Sequence, residues 1–392
     1  MKRSPLIPVL LFSLVAGPVY AADASKTAVK PIPADVAKKA VERYVDVVRL
    51  AYADAVKGAA LLRAKIDALV KAPGADSLAA ARDAWKTARD AYGPTEAFRF
   101  YGGPIDDPKD GPEGLLNAWP IDEAYVDYVK GSDLAGIINN LQDYPRITKE
   151  VLVAANEKDG EKNISTGYHA IEFLLWGQDE SATGPGDRPH TDYVAGQGKN
   201  AERRGVALKL LSELLVDHLT QVQKAWDPAN SDNYGEKLKK EPLDESLRKI
   251  YTGMIGLSID EMAGERMTVA LEKHDQEHEQ DCFSDYTLKG MIGNETGIWN
   301  VYFGRYGTTT GTGIHDVVQA LDPKLAKATD AKLAAADRAI RAIPGTFDQV
   351  IAEKGSNGPK RKAAKKAIAA LEEQARTIAK SGLEMGLVLN IQ

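Results

Sequence analysis

Apolar residues recur at three- and four-residue steps through most of this chain. Val36, Ala40, Tyr44, Val47, Val48, Ala51, Ala55, Leu62, Ile66 and Leu69 mark one face of a long amphipathic helix that stops at Pro73-Gly74. A second helix is expected over Ser77–Tyr92, capped by Asp76 or Ser77 and ended by Gly93-Pro94. Tyr101–Pro120 carries four Gly and four Pro and must be a long loop. Shorter helices are predicted over Ile121–Lys130, Asp133–Gln142 and Arg146–Asn156, then one from about Ser165 to Trp176 with Gly177 as its terminator. Gly177–Lys199 reads as loop. The helical period restarts at Asn200 and runs to about Lys224, followed by a loop through Pro228 and Pro242 and a long helix over Glu245–His274. Tyr286–Phe303, Ile314–Leu321, Pro323–Ile343 and Lys360–Leu387 complete the set. No alternating run is long enough to argue a sheet. The expected class is all-α: two helical-bundle domains with long ordered loops, spanning 35–199 and 200–392.

The N-terminus departs from this pattern. Lys2 and Arg3 precede the apolar stretch Leu6–Val15, and Val19-Tyr20-Ala21 supplies small residues for cleavage, so Met1–Ala21 reads as a secretory signal cut near Ala21. Formal charge is −6, and losing Met1–Ala21 leaves 48 basic against 56 acidic residues, or −8. Nucleic acid is not an expected partner. No later segment is apolar for the roughly 18 residues a membrane helix needs. The mature protein is therefore expected to be periplasmic and soluble. Cys282 is the only cysteine, which excludes an internal disulfide and reads as a small buried side chain, or else as a nucleophile or ligand.

Candidate chemistry concentrates in Asn163–Asp179, NISTGYHAIEFLLWGQD. His169 and Glu172 stand three residues apart, on one helix face, among Ile171, Phe173, Leu174, Leu175 and Trp176. Spacing alone proves little: with 56 acids in 392 residues, six histidines give about one such pair by composition, and this chain has three. His274 with Glu277 and His278 with Asp281 lie in EKHDQEHEQD, which reads as a solvated helix end. The apolar flanks of His169 and Glu172 instead predict burial, and a buried carboxylate demands either a hydrogen-bonded partner such as Arg or a metal. Gly167, without a Cβ at the helix start, leaves room for a neighbouring backbone or a ligand. Other acids offered to the site are Glu96, Asp122 beside Trp119-Pro120, and Glu265, which lies four residues after Glu261 on the predicted long helix. Pairing of Glu265 with Arg266 or Arg99 is the structural alternative. One imidazole with two or three carboxylates suits iron or zinc better than copper. Gly313-Ile314-His315 faintly echoes Gly167-Tyr168-His169, a match that either duplication of one bundle or chance among helix starts explains, chance being favoured.

The Gly-x-His-x-x-Glu pattern at Gly167, His169 and Glu172 resembles the signature of the imelysin family. Ala84–Arg99, Asn117–Tyr128, Gly264–Met267, Cys282–Asp285 and Gly297–Gly304 are similar to further segments of that family, within its iron-regulated, protein A-like branch. The resemblance implies two bundle-like domains with the signature residues in a cleft. It also implies either periplasmic iron binding and uptake, with a membrane iron-transport partner, or a zinc-dependent metallopeptidase. On the binding reading His169 and Glu172 are ligands, Glu96, Asp122 and Glu265 complete or flank the site, and Gly167, Arg99, Trp119 and Arg266 lie around it. On the peptidase reading Glu172 is the catalytic candidate. The usual His-Glu-x-x-His arrangement is absent, because position 173 is Phe, so binding is favoured. The sequence departs from the family after Asp285, where Tyr286-Thr287-Leu288 stands in place of Asn-Thr-His.

Overall fold

A computed structural model of the chain describes residues 29–181, 183–355 and 357–389. The expected export signal, Met1–Ala21, lies outside them. The first apolar stripe forms α1 (Ala34–Lys71), with the periodic residues Val47, Val48, Ala51, Ala55, Leu62, Ile66 and Leu69 all buried. α2 (Ala75–Tyr92) folds back along α1. Its entry differs slightly from expectation: the chain turns at Gly74, whose N–H donates to Ser77 Oγ at 3.0 Å, so Ser77 supports the cap from within the helix.

The glycine- and proline-rich segment that follows is loop apart from a 3₁₀ turn over Gly93–Phe98 and the single turn α3 (Glu113–Leu116). The helices expected at Ile121–Lys130 and Asp133–Gln142 shrink to one turn each, α4 (Glu123–Val126) and α5 (Gly136–Asn139). Gly131 and Gly136 take φ of 81° and 86°, which breaks the helical path between them. α6 (Lys149–Ala155) leads to α7 (Gly167–Trp176), terminated by Gly177 at φ 73°. α8 (Ala201–Ala225) lies along α1 and against α7. The loop expected through Pro228 and Pro242 contains a helix, α9 (Tyr234–Lys240), because Asn233 Oδ1 accepts the Glu236 N–H at 2.8 Å and nucleates it.

The long helix expected over Glu245–His274 is continuous but not uniform. α10 (Leu243–Gly256) passes into a π-helical stretch over Leu257–Val269 and ends as α11 (Ala270–Lys273), with His274 left-handed at φ 55°. α12 (Thr287–Tyr302) follows, then a hairpin of two-residue strands, β1 (Arg305–Tyr306) and β2 (Thr309–Thr310). α13 (Ile314–Leu321), α14 (Pro323–Arg341), α15 (Phe347–Ile351) and α16 (Pro359–Glu384) close the fold, which is all-α apart from that hairpin among the described residues. α14 packs on α16, and α16 packs on the π stretch and α10. One contiguous hydrophobic cluster joins helices from both sides of residue 200. No described helix is long and apolar enough to cross a membrane.

Glycines set the closest approach between the halves. An ideal Cβ on Gly297 of α12 would lie 2.5 Å from the Pro94 carbonyl oxygen, and one on Gly293 would lie 3.3 Å from Gly93 Cα. Gly297→Ala is expected to destabilise the fold by about 1–3 kcal/mol, since backbone cannot yield as a side chain can. The check is a lowered urea midpoint with unchanged m-value, against no shift for Gly184→Ala, whose Cβ meets nothing within 4 Å.

Candidate metal centre

α7 is buried along its whole length, and His169 and Glu172 are its only ionisable residues apart from Tyr168. It is held there by its neighbours' backbone. Gly167 sits at φ 83°, where an added Cβ would lie 2.5 Å from the Leu116 carbonyl oxygen. Thr166 Oγ1 donates to the Leu115 carbonyl, and Trp85 Nε1 of α2 donates to the Tyr168 carbonyl at 3.0 Å. The glycine therefore serves a close backbone approach.

Three residues on from the imidazole, the carboxylate meets it: His169 Nδ1 lies 3.2 Å from Glu172 Oε2. A third group arrives from the loop between α11 and α12, where Asp281 Oδ1 stands 3.7 Å from the same nitrogen. One donor atom from each of His169, Glu172 and Asp281 falls within 4.8 Å of the other two. The same loop supplies Ser284, whose N–H and Oγ–H both donate to Glu172 Oε1, at 2.9 and 2.6 Å. That fixes one carboxylate oxygen and leaves the other facing His169. Gly290 of α12 permits the approach of Asp281, because a Cβ there would lie 2.8 Å from Asp281 Oδ2.

Arg89 of α2 is the counter-charge. Its Nη2 forms an ion pair with Asp281 Oδ1 at 2.8 Å, its Nη1 donates to Asn117 Oδ1 at 2.8 Å, and its guanidinium lies 5.2 Å over the Tyr168 ring. Asn117 in turn lies 3.5 Å from Glu96. Glu96 thus stands four links from the imidazole, through Asp281, Arg89 and Asn117, and is held by Arg99 and Arg266 at 2.7 Å each. Burial raises its carboxyl, but Arg99 and Arg266 outweigh this and hold it at about 2. Glu96 is a fixed anion that positions guanidinium groups. Its oxygens are already engaged.

Asp122 and Glu265 fall outside the group that His169, Glu172 and Asp281 form. Asp122 is exposed and caps α4 by accepting the Ala124 N–H at 3.0 Å. Trp119 is half-buried beside it in sequence. Glu265 is exposed, and the reason is the helix type. The α-helical register would have put Glu265 above Glu261, whereas the i→i+5 register of the π stretch puts Arg266 there, with its Nη2 2.8 Å from Glu261 Oε1. Arg99 and Arg266 join the polar network through Glu96.

Ser284, Arg89 and Asn117 are not singled out by spacing, and Asp281 is picked out only as a solvated partner of His278. Asp281 belongs to EKHDQEHEQD, whose polarity suggested solvent, yet Glu279 and Asp281 are buried. The available signal was the second half of that loop, Cys282–Asp285, which turns apolar at once and carries Asp281 inward. Cys282 itself is buried, and burial together with Glu172 pushes its thiol up, so it is not a thiolate.

Electrostatically, Arg89 is the one cationic side chain in direct contact with these three groups among the described residues. Burial, with Arg89 and Arg266 nearby, pushes His169 well below its ordinary value, so the imidazole is neutral and keeps a lone pair. Burial and the charge of Asp281 push Glu172 well above the usual carboxylate range against the pull of Ser284. Burial also raises Asp281, against Arg89. His169 Nε2 and Asp281 Oδ2 have no hydrogen-bond partner. Such orphans cost about 1–3 kcal/mol each; a cation between Nδ1, Oε2 and Oδ1 would instead offset the repulsion between the two acids. The residues fit a metal of borderline or hard character with one nitrogen and two oxygen donors. The expected cleft is not what surrounds them: Glu172 and Asp281 have 0% exposure and His169 1%.

Comparison with known proteins agrees on the fold. The profile of the imelysin family, peptidase M75, matches residues 48–378. Iron-regulated protein A of Synechococcus elongatus is 28% identical over 324 residues, covering 81% of this chain and 79% of that protein. The crystal structure of a candidate iron-regulated protein A precursor from Parabacteroides distasonis superposes with a TM-score of 0.72 at 18% identity, over 91% of this chain and 96% of the other. An imelysin-like protein from Psychrobacter arcticum gives 0.63 at 18% identity, over 93% and 99%.

A raised carboxyl has a stability signature. In metal-free protein the folded state keeps Glu172 protonated while the unfolded chain releases its proton above the ordinary carboxylate range, so stability falls as pH rises from about 4.5. Glu172→Gln removes that loss and keeps an oxygen for Ser284. Its thermal midpoint without metal should exceed that of the parent at pH 8 and converge with it near pH 4. A lower midpoint at both pH values would contradict the assignment.

Proposed function

The chain belongs to the imelysin family, and from that premise we propose that it is an exported protein that binds a metal ion, iron in the first instance, through His169, Glu172 and Asp281. The observation that carries the reading is the convergence of a neutral imidazole and two raised carboxylates in a water-excluded interior, with Ser284 orienting one acid and Arg89 the other. Two carboxylates and one imidazole bring a formal −2, which Arg89 only partly offsets, so a divalent or trivalent cation is the natural complement. Oriented outer partners of this kind tune ligand geometry and metal affinity. Zinc would satisfy the same donors. The iron preference draws on similarity to iron-regulated protein A and on the hard, oxygen-rich donor set.

Burial weighs against peptide hydrolysis. A metallopeptidase needs an open coordination position reached by substrate and a base beside it. Here Glu172 has no exposed surface, and one of its oxygens already accepts two hydrogen bonds from Ser284. Capture and release of an ion, by local opening of the loop that carries Asp281, demands much less room. Export by a signal over Met1–Ala21, as the sequence leads one to expect, would put this activity in the periplasm, where a membrane iron-transport partner would receive the ion.

Metal analysis of protein purified without chelator tests the reading. His169→Ala, Glu172→Gln and Asp281→Asn should each lower bound iron by about tenfold or more, while Glu265→Ala and Asp122→Ala should retain it. Equal metal in all six proteins, parent included, would overturn the assignment. Chelator-sensitive digestion of casein that disappears in Glu172→Gln would establish the peptidase reading instead.

A further inference from the structure

Beyond His169 the loop between α11 and α12 reaches a second group of carboxylates. Asp285 lies one residue past Ser284 and takes φ 57°, a left-handed conformation that Asp and Asn tolerate better than most residues. Asp179 lies just past the end of α7, and Asp348 comes from α15. One oxygen from each falls within 4.8 Å of the other two.

Two of the three acids have oxygens to spare. Asp179 is engaged, accepting from Ser181 N–H at 2.8 Å and Gln276 Nε2 at 2.7 Å. Asp285 Oδ1 has no partner, and neither oxygen of Asp348 has one, although Asp348 is only 2% exposed. A buried carboxylate with both oxygens orphaned, facing two more carboxylates, is an arrangement a protein keeps only with compensation. The positive charge of Lys86 acts against carboxylate repulsion at Asp285, and its ammonium lies over the Trp176 and Tyr286 rings. Desolvation and the mutual repulsion of Asp348, Asp179 and Asp285 raise Asp285 to about 7, so protons take up part of the strain when no ion is bound.

We propose that Asp179, Asp285 and Asp348 form a second cation site, distinct from the His169 centre, that takes a hard divalent ion of the calcium class through oxygen ligands alone. No imidazole or thiol is among the donors, which disfavours softer metals. Calcium accepts ligands at about 2.3–2.6 Å, so donors on opposite sides of the ion stand about 4.6–5.2 Å apart, and the three oxygens fit around it with water completing the shell. The ion would pin the exit of α7 and α15 to the residue that follows Ser284. It thereby steadies the loop that delivers Asp281 and Ser284 to the first centre.

The experiment is titration of calcium chloride into chelator-stripped His169→Ala protein, followed by calorimetry and by thermal midpoint. Using this background keeps the two sites separable. One equivalent of calcium should bind and raise the midpoint. Adding Asp348→Asn or Asp285→Asn should weaken binding about tenfold or more. Asn accepts the left-handed conformation at 285, so Asp285→Asn decides the matter should Asp348→Asn fail to fold. No calcium-dependent heat or midpoint shift, or equal binding in the Asp285→Asn protein, would overturn the second site without touching the first.

Discussion

The structure depends on how three ionisable groups are kept in a dry interior. Apolar burial of α7 drives the helix inward and carries His169 and Glu172 with it, and nothing in that packing supplies charge balance. Arg89 supplies some, and Ser284 adds two hydrogen bonds to Glu172, from two other elements. The remainder must come from protons on the acids or from a cation, and these exclude each other. On the proposed reading, metal binding and proton release would be two sides of one equilibrium, with affinity rising as pH rises through the range where the acids give up their protons.

A polar network extends this constraint across the core. Asp281, Arg89, Asn117, Glu96, Arg266 and Glu261 follow one another through contacts of 2.7 to 3.5 Å, ending in the π-helical stretch. Winding that segment in the i→i+5 register sets Arg266 over Glu261 and lets it reach both Glu96 and Asn294. The cost of an irregular helix is offset by a buried guanidinium with acids on two sides. Residues on three parts of the chain, distant in sequence, are fixed by that arrangement before any ion arrives.

Much of this was legible in the residues alone. Long periodic stripes give long helices, and α1, α8, α14 and α16 fall where their apolar steps predict. The His169–Glu172 pair stood out because greasy flanks around two polar groups demand an explanation. Short elements were less legible, since a helix of one or two turns owes its existence to tertiary contacts and caps, as Asn233 shows for α9 and the glycines at 131 and 136 show for the interrupted stretch between α4 and α5. Asp281 was misread because local polarity reports average solvation, whereas its burial is decided by the hydrophobic chain that follows it and by the space Gly290 leaves. Glu265 was misplaced for a different reason: spacing arguments assume 3.6 residues per turn, and the helix there does not have it.

The most direct test of the central claim is an anomalous-difference map from crystals soaked in ferrous iron under anaerobic conditions. The account predicts one strong peak within bonding distance, about 2.0–2.2 Å, of His169 Nδ1, Glu172 Oε2 and Asp281 Oδ1. Anomalous density confined to exposed acids such as Glu265 or Asp122, with none among those three atoms, would contradict it.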